Sequence, residues 1–301
     1  MTWSKKAIRW LILGCASLIV LANLFYYFPA PRLFVLWLAK RASVCTRAEA
    51  MRSFEVLKRR RELRESFPVR RISTEGELEL YQTRLGAFWV PARAAKDLPA
   101  MVSEELAGIY STPEGFAVHP GDVVIDCGAN VGTFTRLALQ AGASLVVAIE
   151  PSPQNVAALR RTFSSEVARG TVILQPLGVW DTVAVLPLSI NKSTTLDSFV
   201  FAAGSTGTVN VPLKPLDQVV QELSLRRVDF IKVDVEGAEL RAIVGARQTF
   251  ARFRPRLVFD AEQISAERLA EAVRGIRPDY QRACLCEDLK TRIRAAVAYF
   301  F

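Results

Sequence analysis

The stretch that most constrains the fold is VVIDCGANVGTFT, residues 123–135. Its first three residues form an apolar β-branched run, which is typical of a strand buried on both faces of a parallel sheet. A turn with two glycines follows, where a Cβ would keep a bound cofactor away from the backbone. The apolar residues after the turn recur at helical spacing. Strand, glycine turn and helix together predict the first half of a βαβ nucleotide-binding unit.

The spacing within this turn indicates which nucleotide binds. Dinucleotide sites use G-x-G-x-x-G, with one glycine that makes room for the pyrophosphate, whereas this turn reads D-x-G-x-N-x-G. The run Leu145–Ile149 predicts the second strand, and Glu150 ends it, where an acid can accept hydrogen bonds from both ribose hydroxyls. A single nucleoside without a pyrophosphate therefore fits better than NAD. The alternative is that the glycines only close a βα turn and that Glu150 only caps the next helix.

A second informative stretch is VDFIKVDVEGAELRAIVGA, residues 228–246. Strand alternation places Lys232, Asp234 and Glu236 on one face, at the carboxyl end where ligands bind in open α/β sheets. A carboxylate there can bind an ammonium group, deprotonate a substrate hydroxyl or help to hold a divalent cation. The alternatives are that the two acids only cap the following helix, and that Lys232 is the buried partner of a neighbouring carboxylate.

Three other segments are expected near the same edge. The predicted strand Arg254–Asp260 ends in Asp260, which we expect beside the other acids. Leu177 and Gly178 follow the predicted third strand, where an adenine ring would lie, although plain core packing explains them equally well. The polar segment 191–207 is either a substrate lid or a simple connection.

The N-terminus contains 19 residues without a charge, from Trp10 to Phe28. As a helix they span about 28 Å, close to the roughly 30 Å of a hydrocarbon core, which predicts an uncleaved membrane anchor. A signal peptide is the alternative, disfavoured because the apolar run is too long. Basic residues flank both ends, and the cluster at 58–61 favours a catalytic domain on the cytoplasmic side.

The basic charge of the chain is concentrated near this predicted anchor. Residues 1–72 hold 15 Lys/Arg and 4 Asp/Glu, so the total of +9 leaves a net charge of −2 for the remainder. This distribution indicates attraction to anionic lipid headgroups rather than nucleic acid, with a solvated linker helix as the alternative. The five cysteines are odd in number and lack the spacing of a disulfide scaffold, and Cys284-x-Cys286 lacks the further ligands of a zinc site.

The motifs VIDCGANVGTFT, AIEPSPQN, VDFIKVDVEGAEL and RPRLVFD resemble those of the FkbM family of S-adenosylmethionine (SAM)-dependent methyltransferases, over about residues 118–262. The resemblance implies a Rossmann-like, doubly wound, mostly parallel seven-stranded sheet. It also implies methyl transfer, usually to a hydroxyl oxygen of a sugar or secondary metabolite. By position, the resemblance implies that the turn on the methionine side of SAM consists of Asp126, Gly128, Asn130 and Gly132. It implies that Glu150 is the ribose acid, and that the carboxylates at the edge of the sheet are Asp234, Glu236 and Asp260. Family members commonly have Glu where this chain has Asp260.

The sequence therefore predicts four segments: an anchor and interfacial segment (1–40), a basic linker helix (41–72), an N-terminal extension (73–120) and a methyltransferase domain (121–301). The predicted activity is O-methylation of a sugar, glycolipid or secondary metabolite, with SAM as cofactor and Mg²⁺ as an optional ion. The bilayer and a hydroxyl-bearing acceptor are the expected partners, without nucleic acid. The alternatives are a catalytically silent membrane-tethered scaffold and an NAD-type oxidoreductase.

Overall fold

The computed structural model describes residues 14–20, 23, 35–38, 45–66, 69–112, 115–191, 205–289 and 293–301. Among these residues no helix is both long and apolar enough to cross a membrane. The predicted anchor at 10–28 lies largely outside the described residues, which there comprise only 14–20 and Asn23, all helical. Most of the polar segment 191–207 is also outside them.

The N-terminal part of the described chain is a helix, a small antiparallel sheet and a second helix. Its elements are α1 (Arg47–Ser66), β1 (Arg70–Glu75), β2 (Leu78–Thr83), β3 (Gly86–Pro91), a 3₁₀ segment (Ala92–Asp97) and α2 (Leu98–Ala107). The hairpin of β2 and β3 has Leu78 opposite Pro91 and Thr83 opposite Gly86.

The α/β part then alternates strands and helices. Its first half contains β4 (Val123–Cys127), α3 (Thr133–Gln140), β5 (Leu145–Ile149), α4 (Pro153–Thr162), α5 (Ser164–Ala168), β6 (Val172–Gln175), β7 (Gly178–Val179), β8 (Ala184–Asn191) and β9 (Ser205–Lys214). Its second half contains α6 (Leu216–Glu222), β10 (Phe230–Val233), α7 (Glu239–Val244), α8 (Arg247–Phe253), β11 (Arg256–Asp260), α9 (Ala266–Ile276), β12 (Arg282–Asp288) and β13 (Ile293–Phe300).

The central sheet has seven strands in the order β12-β13-β11-β10-β4-β5-β6. Only β13 runs against the others. The predicted mostly parallel seven-stranded sheet is thus confirmed. From β4 the chain moves outward to β5 and β6, and β10 then returns to the other side of β4. This reversal opens a crevice at the carboxyl ends of β4 and β10, where ligands bind in such sheets.

Both faces of the sheet are covered, which explains the continuous apolar runs of its strands. Ile125 and Ile231 point into the hydrophobic cluster on one face, and Val124 and Phe230 point into the cluster on the other. All four side chains are fully buried. The carboxyl ends of β4 and β10 are therefore held at fixed positions by packing from both sides.

Helix α1 covers the outer strand β12. The backbone N–H of Cys284 donates to Oε1 of Glu49 over 2.9 Å, and that of Cys286 donates to Oγ of Ser53 over 2.7 Å. Cys45, just before α1, forms a disulfide with Cys286. The sequence interpretation missed this pair, since 241 residues separate its members. The contacts satisfy polar groups that an edge strand otherwise leaves open.

We expect Ser53→Ala to lower the free energy of unfolding by about 1–3 kcal/mol, because it leaves the buried N–H of Cys286 without an acceptor. Ser66→Ala is the matched control, since Ser66 donates only to a carbonyl at the exposed end of the same helix. Its effect is expected to stay within about 0.5 kcal/mol. Denaturant unfolding of the full chain measures both, and equal losses would show that α1 contributes little at this edge.

Candidate functional site

The turn after β4 forms one wall of the crevice. The N–H groups of Gly128 and Ala129 both donate to the carbonyl of Ile149, at the end of β5, over 3.0 Å. Gly128, Asn130 and Gly132 have φ angles of +79°, +52° and +92°. This left-handed region favours glycine and tolerates asparagine, which explains the residue types of the D-x-G-x-N-x-G pattern.

The two glycines are required by the packing of the protein itself. A Cβ on Gly128 would lie 1.8 Å from the carbonyl oxygen of Asp234. A Cβ on Gly132 would lie 2.3 Å from the ring of Phe163. The space next to both glycines is thus filled by other parts of the chain, whereas the sequence interpretation left it for a cofactor. Gly128 lets the turn after β4 touch the residue that follows β10.

Glu150 ties this turn to the loop before α4. Its Oε2 accepts from the N–H of Asn130 over 2.8 Å, and its Oε1 accepts from the N–H of Ser152 over 2.9 Å and from the amide of Asn155 over 3.3 Å. The hydroxyl of Ser152, beside it, is buried and has no hydrogen-bond partner among the described residues. The ribose role of Glu150 stays a prediction.

Lys232 is the buried centre of the site. Its Nζ lies 3.0 Å from the carbonyl of Gly128 and 3.4 Å from the carboxylates of both Asp126 and Asp234. Burial alone lowers the pKa of Lys232, but Asp234, Asp126 and Glu105 outweigh it, and the pKa lies above its ordinary value. The interpretation of Lys232 as a buried partner of carboxylates is therefore confirmed.

Asp126 lies beneath the edge rather than on it. Its side chain is fully buried, and its Oδ2 accepts from the hydroxyl of Thr135 over 2.7 Å. The strand register sets Asp126 directly beside Lys232. In this structure Asp126 holds Lys232 in place, and its direct contact with a cofactor stays a prediction.

Asp234 faces the crevice and is anchored through one oxygen. Its side chain is 31% exposed, and its Oδ2 lies 3.4 Å from Nζ of Lys232. The same oxygen accepts a hydrogen bond from the hydroxyl of Tyr110 over 3.4 Å. The ring of Tyr110 lies 5.5 Å from Nζ of Lys232 and packs edge-on against Phe134. Sequence reasoning missed Tyr110, because it belongs to the N-terminal extension and no motif marks it.

Glu236 adopts a strained backbone at the same edge. Its φ angle is +50°, and such a conformation in a residue other than glycine costs about 1–3 kcal/mol and is common at functional sites. Burial, and next the charge of Asp234, raise the pKa of Glu236 to about 7. The N–H of Gly237 donates to Oε1 of Glu239 over 3.1 Å. Helix α7 begins at Glu239 with Ala238 as its N-cap, and no side chain among the described residues makes a cap hydrogen bond there.

Asp260 ends β11 beside these acids, as predicted. Its Oδ1 accepts from the N–H of Glu262 over 2.8 Å. Burial, and next the charges of Asp234 and neighbouring glutamates, raise the pKa of Asp260. The structure thus brings Asp234, Glu236 and Asp260 within electrostatic reach of one another.

Helix α2 contributes two carboxylates that sequence reasoning missed. Glu104 points outward and lies 3.3 Å from Arg60 of α1. Glu105 points inward, and its Oε1 accepts from the hydroxyl of Thr133, the first residue of α3, over 3.1 Å. The acids are adjacent in sequence, so α2 has one on its outer side and one in the interior.

Two predicted cofactor contacts lie beside the sheet. Leu177 is buried in a hydrophobic cluster, and Gly178 pairs with Leu213 of β9. This placement gives Leu177 a packing role, and its contact with an adenine stays a prediction. The described part of the chain holds no group of three or more His, Cys, Asp or Glu side chains arranged to bind a metal ion. These residues therefore offer no such set of ligands to the optional Mg²⁺.

Comparison with known proteins identifies the family to which the chain belongs. The Methyltransferase FkbM domain family matches residues 126–281, more than half of the chain. The fold is similar to the crystal structure of methyltransferase FkbM from Methylobacillus flagellatus KT, with a TM-score of 0.50 and 20% identity over 70% of this chain and 56% of that one. At this identity the likeness concerns the fold alone.

A curated relative matches over a shorter length. The chain is 25% identical over 177 residues to the AMB antimetabolite synthetase AmbE of Pseudomonas aeruginosa, a match that covers 46% of this chain and 8% of that protein. The chain thus spans only a small part of that relative. A SAM-dependent methyltransferase from Agrobacterium tumefaciens is similar at a TM-score of 0.41 and 10% identity, over 76% of this chain and 70% of that one.

Proposed function

The chain belongs to the FkbM methyltransferase family, and on that basis we propose that it transfers the methyl group of SAM to a hydroxyl oxygen of a sugar, glycolipid or secondary metabolite. One observation carries this proposal. Asp234 and Glu236 stand at the carboxyl end of β10, directly against the glycine turn of β4, where the strand order reverses. A nucleoside bound over that turn would bring its reactive group to the two acids.

The residues present fit SAM better than a dinucleotide. Glu150 follows the end of β5, and beside it lies the hydroxyl of Ser152, which has no hydrogen-bond partner among the described residues. Both suit the hydroxyls of one ribose. When bound, SAM supplies a methyl group on a sulfonium, whose S–C bond breaks as the O–C bond to the acceptor forms and the hydroxyl loses its proton. The protein must then align the two reactants and accept that proton.

The two rim acids suit different roles. Lys232 and Tyr110 both hold one oxygen of Asp234, so its carboxylate is fixed in orientation and suited to aligning a ligand group. Glu236 has a pKa raised to about 7, close to the ideal for a general base at neutral pH. We assign Glu236 as the base and Asp234 as the aligning acid.

The proposed class of acceptor rests on the sequence of the N-terminal region. The uncharged run at 10–28 and the basic cluster at 58–61 support a single-pass anchor with the catalytic domain on the cytoplasmic side. An anchored enzyme meets lipid-linked acceptors at high local concentration. We therefore favour a glycolipid acceptor. Equal methylation rates of membrane glycolipid fractions and of free sugars by the full chain would contradict this choice.

Calorimetric titration of the full chain in detergent is the primary test. We expect binding of SAM and of S-adenosylhomocysteine in the micromolar range and no comparable heat with NAD. Glu150→Ala is expected to weaken S-adenosylhomocysteine binding at least tenfold, a loss of about 1.4 kcal/mol, because the ribose loses its charged acceptor.

The outcomes of this titration separate the candidate functions. Binding of NAD alone would favour an oxidoreductase. A folded chain that binds none of the three ligands would favour a catalytically silent scaffold. Either result would overturn the methyltransferase proposal.

A further inference from the structure

Glu105 is a buried carboxylate whose bonding is incomplete. Its residue is 5% exposed, and only Oε1 has a partner, the hydroxyl of Thr133. Its Oε2 is buried and has no hydrogen-bond partner in the described part of the chain. Buried polar atoms are nearly always hydrogen-bonded, and an unsatisfied one costs about 1–3 kcal/mol. An atom left open at this cost calls for a function.

The position of Glu105 places it against the proposed cofactor turn. Thr133, which holds it, directly follows Gly132 and opens α3. Glu105 also acts electrostatically on Lys232 and Asp126. It therefore approaches the site on the side of β10 and Asp234, whereas the proposed ribose acid Glu150 stands at the end of β5.

The charges around Glu105 do not balance. Three carboxylates act on the single ammonium of Lys232, namely those of Asp234, Asp126 and Glu105. Asp126 and Asp234 each lie 3.4 Å from Nζ of Lys232 and already neutralise it. At Glu105, burial outweighs the charge of Lys232 and raises the pKa of this third carboxyl well above its ordinary value, so the group lacks the compensation that a second cation would give. The arrangement is suited to a ligand that brings a positive charge and hydrogen-bond donors.

We infer that Glu105 binds the α-ammonium group at the methionine end of the cofactor, through its unpartnered Oε2. This inference rests on the proposed function, since it takes SAM as the ligand. The methionine end carries an ammonium group that donates three hydrogen bonds, and an acid on the β10 side of the glycine turn meets it while Glu150 meets the ribose. The N-terminal extension then completes the cofactor site, which the α/β domain alone leaves without this carboxylate.

The test compares two ligands on three proteins by calorimetry. S-adenosylhomocysteine carries the α-ammonium group, whereas 5′-methylthioadenosine keeps the nucleoside and the sulfur and lacks the amino-acid part. Glu105→Gln is expected to weaken S-adenosylhomocysteine binding about 10- to 100-fold and to leave 5′-methylthioadenosine binding within twofold. Glu62→Gln, the control at an exposed glutamate of α1, is expected to change neither.

Each outcome has a defined meaning. Glu105→Gln that keeps its affinity for S-adenosylhomocysteine would overturn this inference and leave the proposed function intact. Equal losses for both ligands would assign Glu105 a structural role instead, and 5′-methylthioadenosine binding thus also reports whether the variant folds. Glu105→Asp, which keeps the charge on a shorter arm, should recover part of the difference between the ligands. Wild-type chain that binds neither ligand would overturn the proposed function and this inference together.

Discussion

Gly128→Ala is expected to lower the free energy of unfolding by about 4 kcal/mol or more, which places it among the most damaging single substitutions. The new Cβ would lie 1.8 Å from the carbonyl oxygen of Asp234 and 2.9 Å from its carbon. Both are backbone atoms, so no side chain can move aside. The turn after β4 must separate from β10, and the contact between the Gly128 carbonyl and Lys232 is lost with it. The fraction that still folds should bind S-adenosylhomocysteine at least 100-fold more weakly.

Gly170→Ala is the control that isolates this clash. Gly170 has a φ angle of +73°, close to the +79° of Gly128, but an added Cβ there meets nothing within 4 Å. This substitution should lower the free energy of unfolding by only about 1–2 kcal/mol, the cost of a left-handed backbone at a residue with a Cβ. Denaturant unfolding of the two full-length variants measures the difference. Similar losses for both would show that the β4 turn and β10 separate at little cost, and would remove our explanation for the glycine.

The sheet was predictable because its signals are local. Leu145–Ile149 has the predicted bounds, because it is a short apolar run that ends just before an acid. The strand predicted over Arg254–Asp260 ends at Asp260 as expected but begins two residues later, at Arg256. Strand alternation correctly predicted that Lys232 and Asp234 lie together. It was wrong to extend the alternation to Glu236, because β10 ends at Val233 and Glu236 has a positive φ angle. The partner of Lys232 was not predictable from the same pattern, because it depends on the register that sets Asp126 beside it.

The parts that sequence reasoning missed depend on contacts distant along the chain. Tyr110 and Glu105 belong to the N-terminal extension, outside the region that contains the motifs. No pattern in the sequence around them indicates that they lie near the site. Cys45 meets Cys286 only because α1 folds back over β12. The C-terminal strand β13 likewise joins the sheet through its pairing with β11, and its Phe300 is fully buried.

Glu236→Gln is expected to lower kcat by about 10²- to 10⁴-fold while SAM affinity stays within a few-fold. The amide keeps the size of the side chain and removes its ability to accept the hydroxyl proton. The pKa of Glu236, raised to about 7 by burial and by Asp234, also sets the pH dependence. The base acts only when unprotonated, so the wild-type rate should fall as the pH drops below about 7 and level off above it. The Glu236→Gln variant should lose this step in the dependence of rate on pH.

Two further variants decide whether Glu236 is the base. Glu262→Gln is the control, because Glu262 lies close enough to act on Glu236 electrostatically, yet its side chain is 53% exposed and pairs with Arg294. It should keep kcat within about twofold and retain the step near pH 7. Asp234→Asn should impair binding and turnover, because Lys232 and Tyr110 hold its carboxylate in place. It should keep the step but move it to lower pH, because the charge of Asp234 helps to raise the pKa of Glu236. If Asp234→Asn removes the step and Glu236→Gln retains it, the two roles are exchanged. If Glu236→Gln weakens SAM binding as much as it slows turnover, Glu236 belongs to the cofactor site, and the proton must leave by another group.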